Sequence, residues 1–166
     1  MRKILLLMLF LTSAAGAFAQ NRMRAPYLGI GVEGNLPLGN FGDAFGSGVG
    51  AVLQLSFPVD PHISVTASGG YNQYFPTKAL NAIGYSSIGY LPLKLGGRYY
   101  FHPSFFVMGE IGATISTAEA GTAFIYAPGI GALLSDRIEA SFRFEGWTYQ
   151  ASLNQVALRL AYRFPL

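Results

Sequence analysis

The stretch from Asn154 to Phe164 alternates strictly: Val156, Leu158, Leu160, Tyr162 and Phe164 share one parity, and Ala157, Arg159, Ala161 and Arg163 share the other. Successive side chains of an extended chain point to opposite faces, so one face is large and apolar and the other is small or cationic. A helix would scatter both sets around its circumference, so the stretch reads as a β-strand. Such strands close either into a soluble barrel with the apolar face inward or into a membrane barrel with that face outward.

The same recipe recurs seven times upstream. Strands are expected at Tyr27 to Leu36, Gly48 to Phe57, His62 to Tyr74, Tyr85 to Phe101, Phe105 to Ile115, Ala123 to Leu134 and Ile138 to Gly146. The sixth is the least regular: it has apolar residues on both faces and contains Pro128, which cannot donate to a ladder, so a bulge or local weakness is expected there. Connections alternate in length. Short turns fall around Asp60, Pro103 and Asp136, and longer ones around Asn40, Ala79, Glu119 and Tyr149. Even strand number with short turns at one end and longer loops at the other is the layout of outer-membrane barrels.

The beginning of the chain reads as an export signal. Arg2 and Lys3 precede an apolar run from Ile4 to Leu11 and a small-residue ending at Ala17-Phe18-Ala19. That run is shorter than the roughly 20 apolar residues of a spanning helix. Residues 1–19 are therefore expected to be a signal peptide, with Gln20 first in the mature domain of residues 20–166. There is no cysteine, so neither a disulfide nor lipid attachment at a cysteine is available. Only 11 % of residues are charged, against about 25 % in soluble domains. An exported, charge-poor chain with no second apolar run long enough for a helix points to a closed β-barrel in a membrane. Once Arg2 and Lys3 leave, the chain is nearly neutral, so nucleic acid is not expected as a partner.

Three features place the apolar face outside. The polar face is mostly Gly, Ala, Ser and Thr, too poor in Lys and Glu for a soluble exterior. Aromatics gather at strand ends: Phe57, Tyr99, Phe101, Phe105, Tyr162 and Phe164 at the short-turn end, and Tyr71, Tyr74, Phe75, Phe124, Tyr126, Trp147 and Tyr149 at the other. Two such belts mark the membrane interfaces. Strands of about ten residues also match the hydrocarbon thickness. The inward face then carries Glu33, Lys94, Arg98, Glu110, Glu139, Arg143, Glu145, Arg159 and Arg163. Eight strands leave an interior that side chains roughly fill. These charges are expected to pair, the glutamates of strand seven beside the arginines of strand eight and Glu33 brought to the other side by closure.

The signal peptide, strand count, aromatic belts and terminal strand together resemble the small eight-stranded outer-membrane barrels, the OmpX-like and OmpA-transmembrane-domain group, over essentially all of Gln20 to Leu166. The resemblance implies an antiparallel up-and-down barrel surrounded by outer-membrane lipid. It also implies that Val156, Leu158, Leu160, Tyr162 and Phe164 form a signal read by the barrel-assembly machinery. The chain departs from that pattern by carrying Pro165-Leu166 after the final aromatic.

Other motifs are weaker. Gly29-Ile30-Gly31-Val32-Glu33-Gly34 matches G-x-G-x-x-G but lies within a strand and opens no helix, so a dinucleotide site is not expected. His62 and His102 each neighbour a proline in a short turn, without further ligands at workable spacing for a metal. A barrel enzyme modifying lipopolysaccharide would need a base near the outer rim; Ser116 and Glu119 have none beside them, and both histidines fall at the opposite end. Phe41, Phe45, Phe75, Trp147 and Tyr149 are candidates for partner contact or for the membrane belt. The expected protein is thus a structural or interacting outer-membrane barrel with no cofactor. The alternative is a narrow passage for small solutes or a hydrophobic ligand.

Overall fold

The computed structural model describes residues 24–117, 121–148 and 152–166. The expected signal peptide, with Gln20, and the loop residues Glu119 and Tyr149 lie outside the described residues. Eight strands form one closed antiparallel barrel in chain order: β1 (Tyr27–Leu38), β2 (Phe45–Pro58), β3 (Ile63–Pro76), β4 (Ile88–His102), β5 (Phe105–Ser116), β6 (Thr122–Leu133), β7 (Ile138–Thr148) and β8 (Ser152–Pro165). Two short helices, α1 (Asn40–Ala44) and α2 (Lys78–Ala82), sit in the connections after β1 and β3. No helix among the described residues is long and apolar enough to cross a membrane.

The register fixes the shape. Followed from partner to partner, Leu28 leads through Leu55, Ala67, Leu95, Ile111, Tyr126, Gly146 and Asn154 back to Leu38 on the starting strand, a stagger of ten residues. Ten residues of rise against eight inter-strand spacings give a tilt of about 40° and a backbone radius of about 8 Å. At that tilt, about ten residues of each strand cover the roughly 25 Å apolar band of a membrane barrel.

Burial follows the alternation. On β8, Gln155, Ala157, Arg159, Ala161 and Arg163 are buried, while Leu158 is 61 % exposed and Leu160 50 %. The outer wall repeats this, with Val32, Leu53, Leu93, Leu95, Ile111 and Ile130 all exposed. A continuous apolar girdle of that extent has no stable place in water and needs lipid around it.

The strands outrun the expected boundaries mostly at the loop end. β1 reaches Leu38 and β2 starts at Phe45, so the expected loop from Pro37 to Ser47 shrinks to Gly39 and α1. Pro37 is tolerated because the β1–β2 ladder ends at Asn35↔Gly48, leaving no wall bond for its missing N–H on that side. Gly39 turns the chain at φ 58°, a left-handed value suited to glycine. β4 begins at Ile88 rather than Tyr85, because α2 and Gly84 (φ 89°) occupy the approach.

Pro128 produces no bulge. The β6–β7 register is the same before and after it, but the ladder is interrupted between Tyr126↔Gly146 and Gly129↔Arg143. The outcome is the local weakness without the extra residue. Pro92 does the same between β3 and β4, where pairing skips from Gly69↔Leu93 to Asn72↔Tyr90. Register does shift at two strand ends, between Phe45 and Ser47 on β2 and between Tyr100 and His102 on β4.

Gly31 lies where β1 meets β8. A Cβ there would come within 2.7 Å of the Leu160 carbonyl oxygen and 2.8 Å of the Ala161 Cβ. Gly34, three residues on, has open space. Gly31→Ala should therefore cost about 1–3 kcal/mol, the range for overpacking, whereas Gly34→Ala should be near neutral. Urea unfolding in lipid vesicles measures both.

Candidate functional site

The inward parity of the eight strands builds a lumen with a charged middle and an aromatic closure at each end. In the middle, Glu33 of β1 accepts from two arginines at one oxygen: Arg143 Nη2 at 2.6 Å and Arg159 Nε at 2.7 Å. Arg143 also reaches Glu110 of β5 at 3.3 Å, and its Nη2 lies 3.6 Å from Glu145. Lys94 of β4 donates to Glu145 at 2.6 Å and stands 3.7 Å from Glu110. Gln155 donates to the other Glu145 oxygen at 2.8 Å, and Gln54 accepts from Arg159.

Nearer the short turns, Arg98 grips Glu139 with both terminal nitrogens at 2.8 Å. The Tyr27 hydroxyl donates to the same carboxylate at 2.9 Å, and Arg163 Nε lies 3.7 Å from it. All nine charged residues singled out in the sequence face the lumen and are buried.

The partners are only partly the expected ones: Glu139 meets Arg163 of β8 and closure brings Glu33 to Arg159, but the other contacts are different. Glu33–Arg159, Glu139–Arg163 and Lys94–Glu110 join neighbouring strands; Lys94–Glu145, Arg98–Glu139, Arg143–Glu33 and Arg143–Glu110 reach past a neighbouring strand. Glu145 faces Lys94 rather than an arginine of β8. The reason is the radius: across a cylinder of about 8 Å radius, long cationic side chains meet carboxylates from far strands. Uncompensated charge in so dry a space is costly, so these contacts satisfy groups that closure has already buried.

Above the charges, Phe41, Tyr74, Ala123, Ile125, Ala127 and Trp147 form a buried cluster, with Phe45, Ile88, Tyr90 and Leu153 packed against it. Phe41 comes from α1, which folds over the mouth. Its ring lies 5.2 Å from Tyr74 and 5.6 Å from Trp147. Below them, Tyr100, Phe106 and Met108 cluster with Leu133.

Three expected roles change here. Tyr74 and Trp147 do not belong to the membrane belt, and Phe41 and Trp147 are not exposed for partner contact; all three point into the lumen. The signal was present in the sequence. Trp147 shares the parity of Glu139, Arg143 and Glu145 but lies one residue beyond the expected strand, whereas Tyr74, inside its expected strand, already has the inward parity of Ser64, Ser68 and Asn72. Tyr71, Phe75, Phe124 and Tyr126 do face outward at the loop end, as do Phe57, Tyr99, Phe101, Phe105, Tyr162 and Phe164 at the other.

The remaining singled-out residues are quickly placed. Leu158, Leu160, Tyr162 and Phe164 form an exposed outer row on β8, with Val156 half-buried in the same row. Pro165 pairs with Tyr27, and the Leu166 N–H donates to the Pro26 carbonyl at 3.0 Å, so the two residues beyond the last aromatic prolong the β1–β8 seam. His62 lies exposed in the β2–β3 turn, its N–H donating to Asp60 at 3.0 Å, and His102 Nδ1 accepts from the Ser104 N–H at 3.2 Å. The glycines at 29, 31 and 34 lie within β1. Among the described residues no group of His, Cys, Asp and Glu is placed to hold a metal ion.

Comparison with known proteins adds a family. A model described as an outer membrane protein beta-barrel domain matches residues 4–164. No curated protein matches the sequence. Among solved structures, the attachment invasion locus protein Ail of Yersinia pestis, in complex with the heparin analogue sucrose octasulfate, superposes with TM-score 0.61 at 12 % identity, over 86 % of this chain and 99 % of that one. The N-terminal β-barrel domain of Pseudomonas aeruginosa OprF gives 0.59 at 10 % identity, over 83 % and 97 %. A transmembrane β-barrel designed de novo gives 0.57 at 17 % identity, over 86 % and 98 %. At these identities the likeness concerns the fold.

Two outcomes follow from the lumen. Arg159→Glu places a carboxylate against Glu33 and should destabilise the barrel by about 3–5 kcal/mol, the cost of breaking a buried pair; loss of heat-modifiable gel mobility and a lower urea midpoint report it. Trp147 is the sole tryptophan. Brominated acyl chains should quench it less than a tryptophan placed at outward-facing position 124 (Phe124→Trp in a Trp147→Phe background).

Proposed function

Because this chain belongs to the outer membrane protein beta-barrel domain family and so resides in the outer membrane, we propose that it serves there as a sealed structural barrel that presents its loops for contact. The observation that carries this reading is the filled lumen. Arg98, Arg143 and Arg159 are each at most 2 % exposed, and they lie between the cluster around Phe41 and Trp147 and the one around Phe106. A solute crossing the barrel would have to part buried ion pairs and two aromatic layers, each of which opposes opening. This argues against the alternative of a narrow passage.

The loop end favours a modest contact surface. With Phe41 and Trp147 buried, the large exposed apolar residues between the strands at that end are, among the described residues, Ile83 and Tyr85 beside α2. The described residues of that end carry one cation, Lys78, and one carboxylate, Asp43. The sulfated sugar bound by the Yersinia protein is a polyanion, and this chain has no cationic cluster there among the described residues to match it. A weakly polar partner surface fits better. The outer row of β8, from Val156 to Phe164, is proposed as the segment read by the barrel-assembly machinery, because it ends at the seam that closes the barrel. No catalytic step is assigned to any residue.

Planar bilayers test the central claim. The mature protein, inserted and shown folded by its gel mobility, should give no stable conductance steps at neutral pH. Steady, reproducible open steps from the folded species would replace the sealed barrel with a pore.

A further inference from the structure

The charges of the lumen do not cancel. Lys94, Arg143 and Arg159 share Glu33, Glu110 and Glu145, three cations against three carboxylates. Glu139 is already held by both terminal nitrogens of Arg98 and by the Tyr27 hydroxyl. Arg163 is therefore the surplus cation. Its Nε approaches Glu139 only to 3.7 Å, and its guanidinium lies over the Tyr27 ring at 4.1 Å.

A second guanidinium stands at the same end. Arg24 lies 3.8 Å over the Tyr100 ring and donates to the Pro103 carbonyl at 2.9 Å. No carboxylate among the described residues is within ion-pair distance of it. Arg24 and Arg163 both line a recess of about 480 Å³ at the short-turn mouth, together with Ser104, Ser135 and the carboxylate-bearing Asp136. The Nε–H groups of both arginines are buried and have no acceptor within hydrogen-bond reach. Two guanidiniums with unused donors beside serine hydroxyls form a receptor for oxygen anions, since the planar fork of arginine matches carboxylate and phosphate geometry.

We propose that the short-turn mouth is an oxyanion-binding site, taking the phosphate or carboxylate group of a small soluble solute on the periplasmic side. Short turns face the periplasm in barrels of this kind. Tyr27 and Arg163 line the recess from the lumen side of the wall. It therefore opens along the barrel axis, and bilayer headgroups around the girdle do not fill it.

Isothermal titration of the mature protein in a maltoside detergent, which carries no phosphate, tests the site with two probes, inorganic phosphate and succinate. Saturable binding of either is expected, and the probe that binds identifies the group. Arg24→Gln lies outside the strands and should leave gel mobility unchanged while weakening binding at least tenfold; Arg163→Gln should weaken it similarly. The absence of saturable binding for both probes overturns the proposal. So does binding of wild-type strength in both folded variants.

Discussion

Closure between β1 and β8 is the constraint on which the structure rests. A membrane offers no water to an unpaired strand edge, so an eight-stranded sheet is stable in lipid only when its first and last strands meet. The seam runs from Tyr27↔Pro165 to Leu38↔Asn154 without a register shift. Its sequence is suited to that task. Gly31 lets the backbones approach beside Ala161, and the last two residues of the chain continue the pairing instead of fraying from it. The Glu33–Arg159 contact lies directly across this seam, since the two residues are register partners.

Closure at a stagger of ten sets a radius, and the radius decides the lumen chemistry. In a wider cylinder the same nine charges would sit along the wall in water. Here they meet across the axis, and Arg143 gathers carboxylates from β1, β5 and β7. Pairs of this kind add little net stability compared with a well-packed apolar core, yet removing one partner strands the other. They therefore specify which strands face each other more than they hold the strands together. The aromatic layers at both ends supply apolar packing and cover the middle of the lumen.

Much of this was legible in the sequence, and the exceptions have physical causes. Parity is a local property, so alternation identified eight strands, the outward girdle and the inward charges from Glu33 to Arg163. Strand ends are not local. They depend on whether a neighbour continues the ladder, which is why β1 extends through Pro37 to Leu38 and why Trp147, one residue past the expected end of its strand, belongs to the lumen and not to a belt. Partners across the lumen depend on the stagger summed around the whole ring, which no single segment encodes; Lys94 facing Glu145 was therefore out of reach. Phe41 was hidden for another reason. It stands in a five-residue helix whose only apolar anchor is that ring, too short to show a helical period. Pro92 leaves no trace in the pattern because its neighbours alternate cleanly, whereas Pro128 stands in a segment that does not.

The two aromatic layers have an effect on the ion pairs between them. Dissolved electrolyte weakens attraction only where its ions approach the charges, over a distance of about 8–10 Å at physiological strength. Arg143 and Glu145 are completely shielded from solvent, and rings close the cylinder above and below them. The Coulombic contacts around Arg143 and Glu145 thus behave like hydrocarbon packing toward sodium chloride, indifferent to changes in brine that would loosen the same contacts on an open surface.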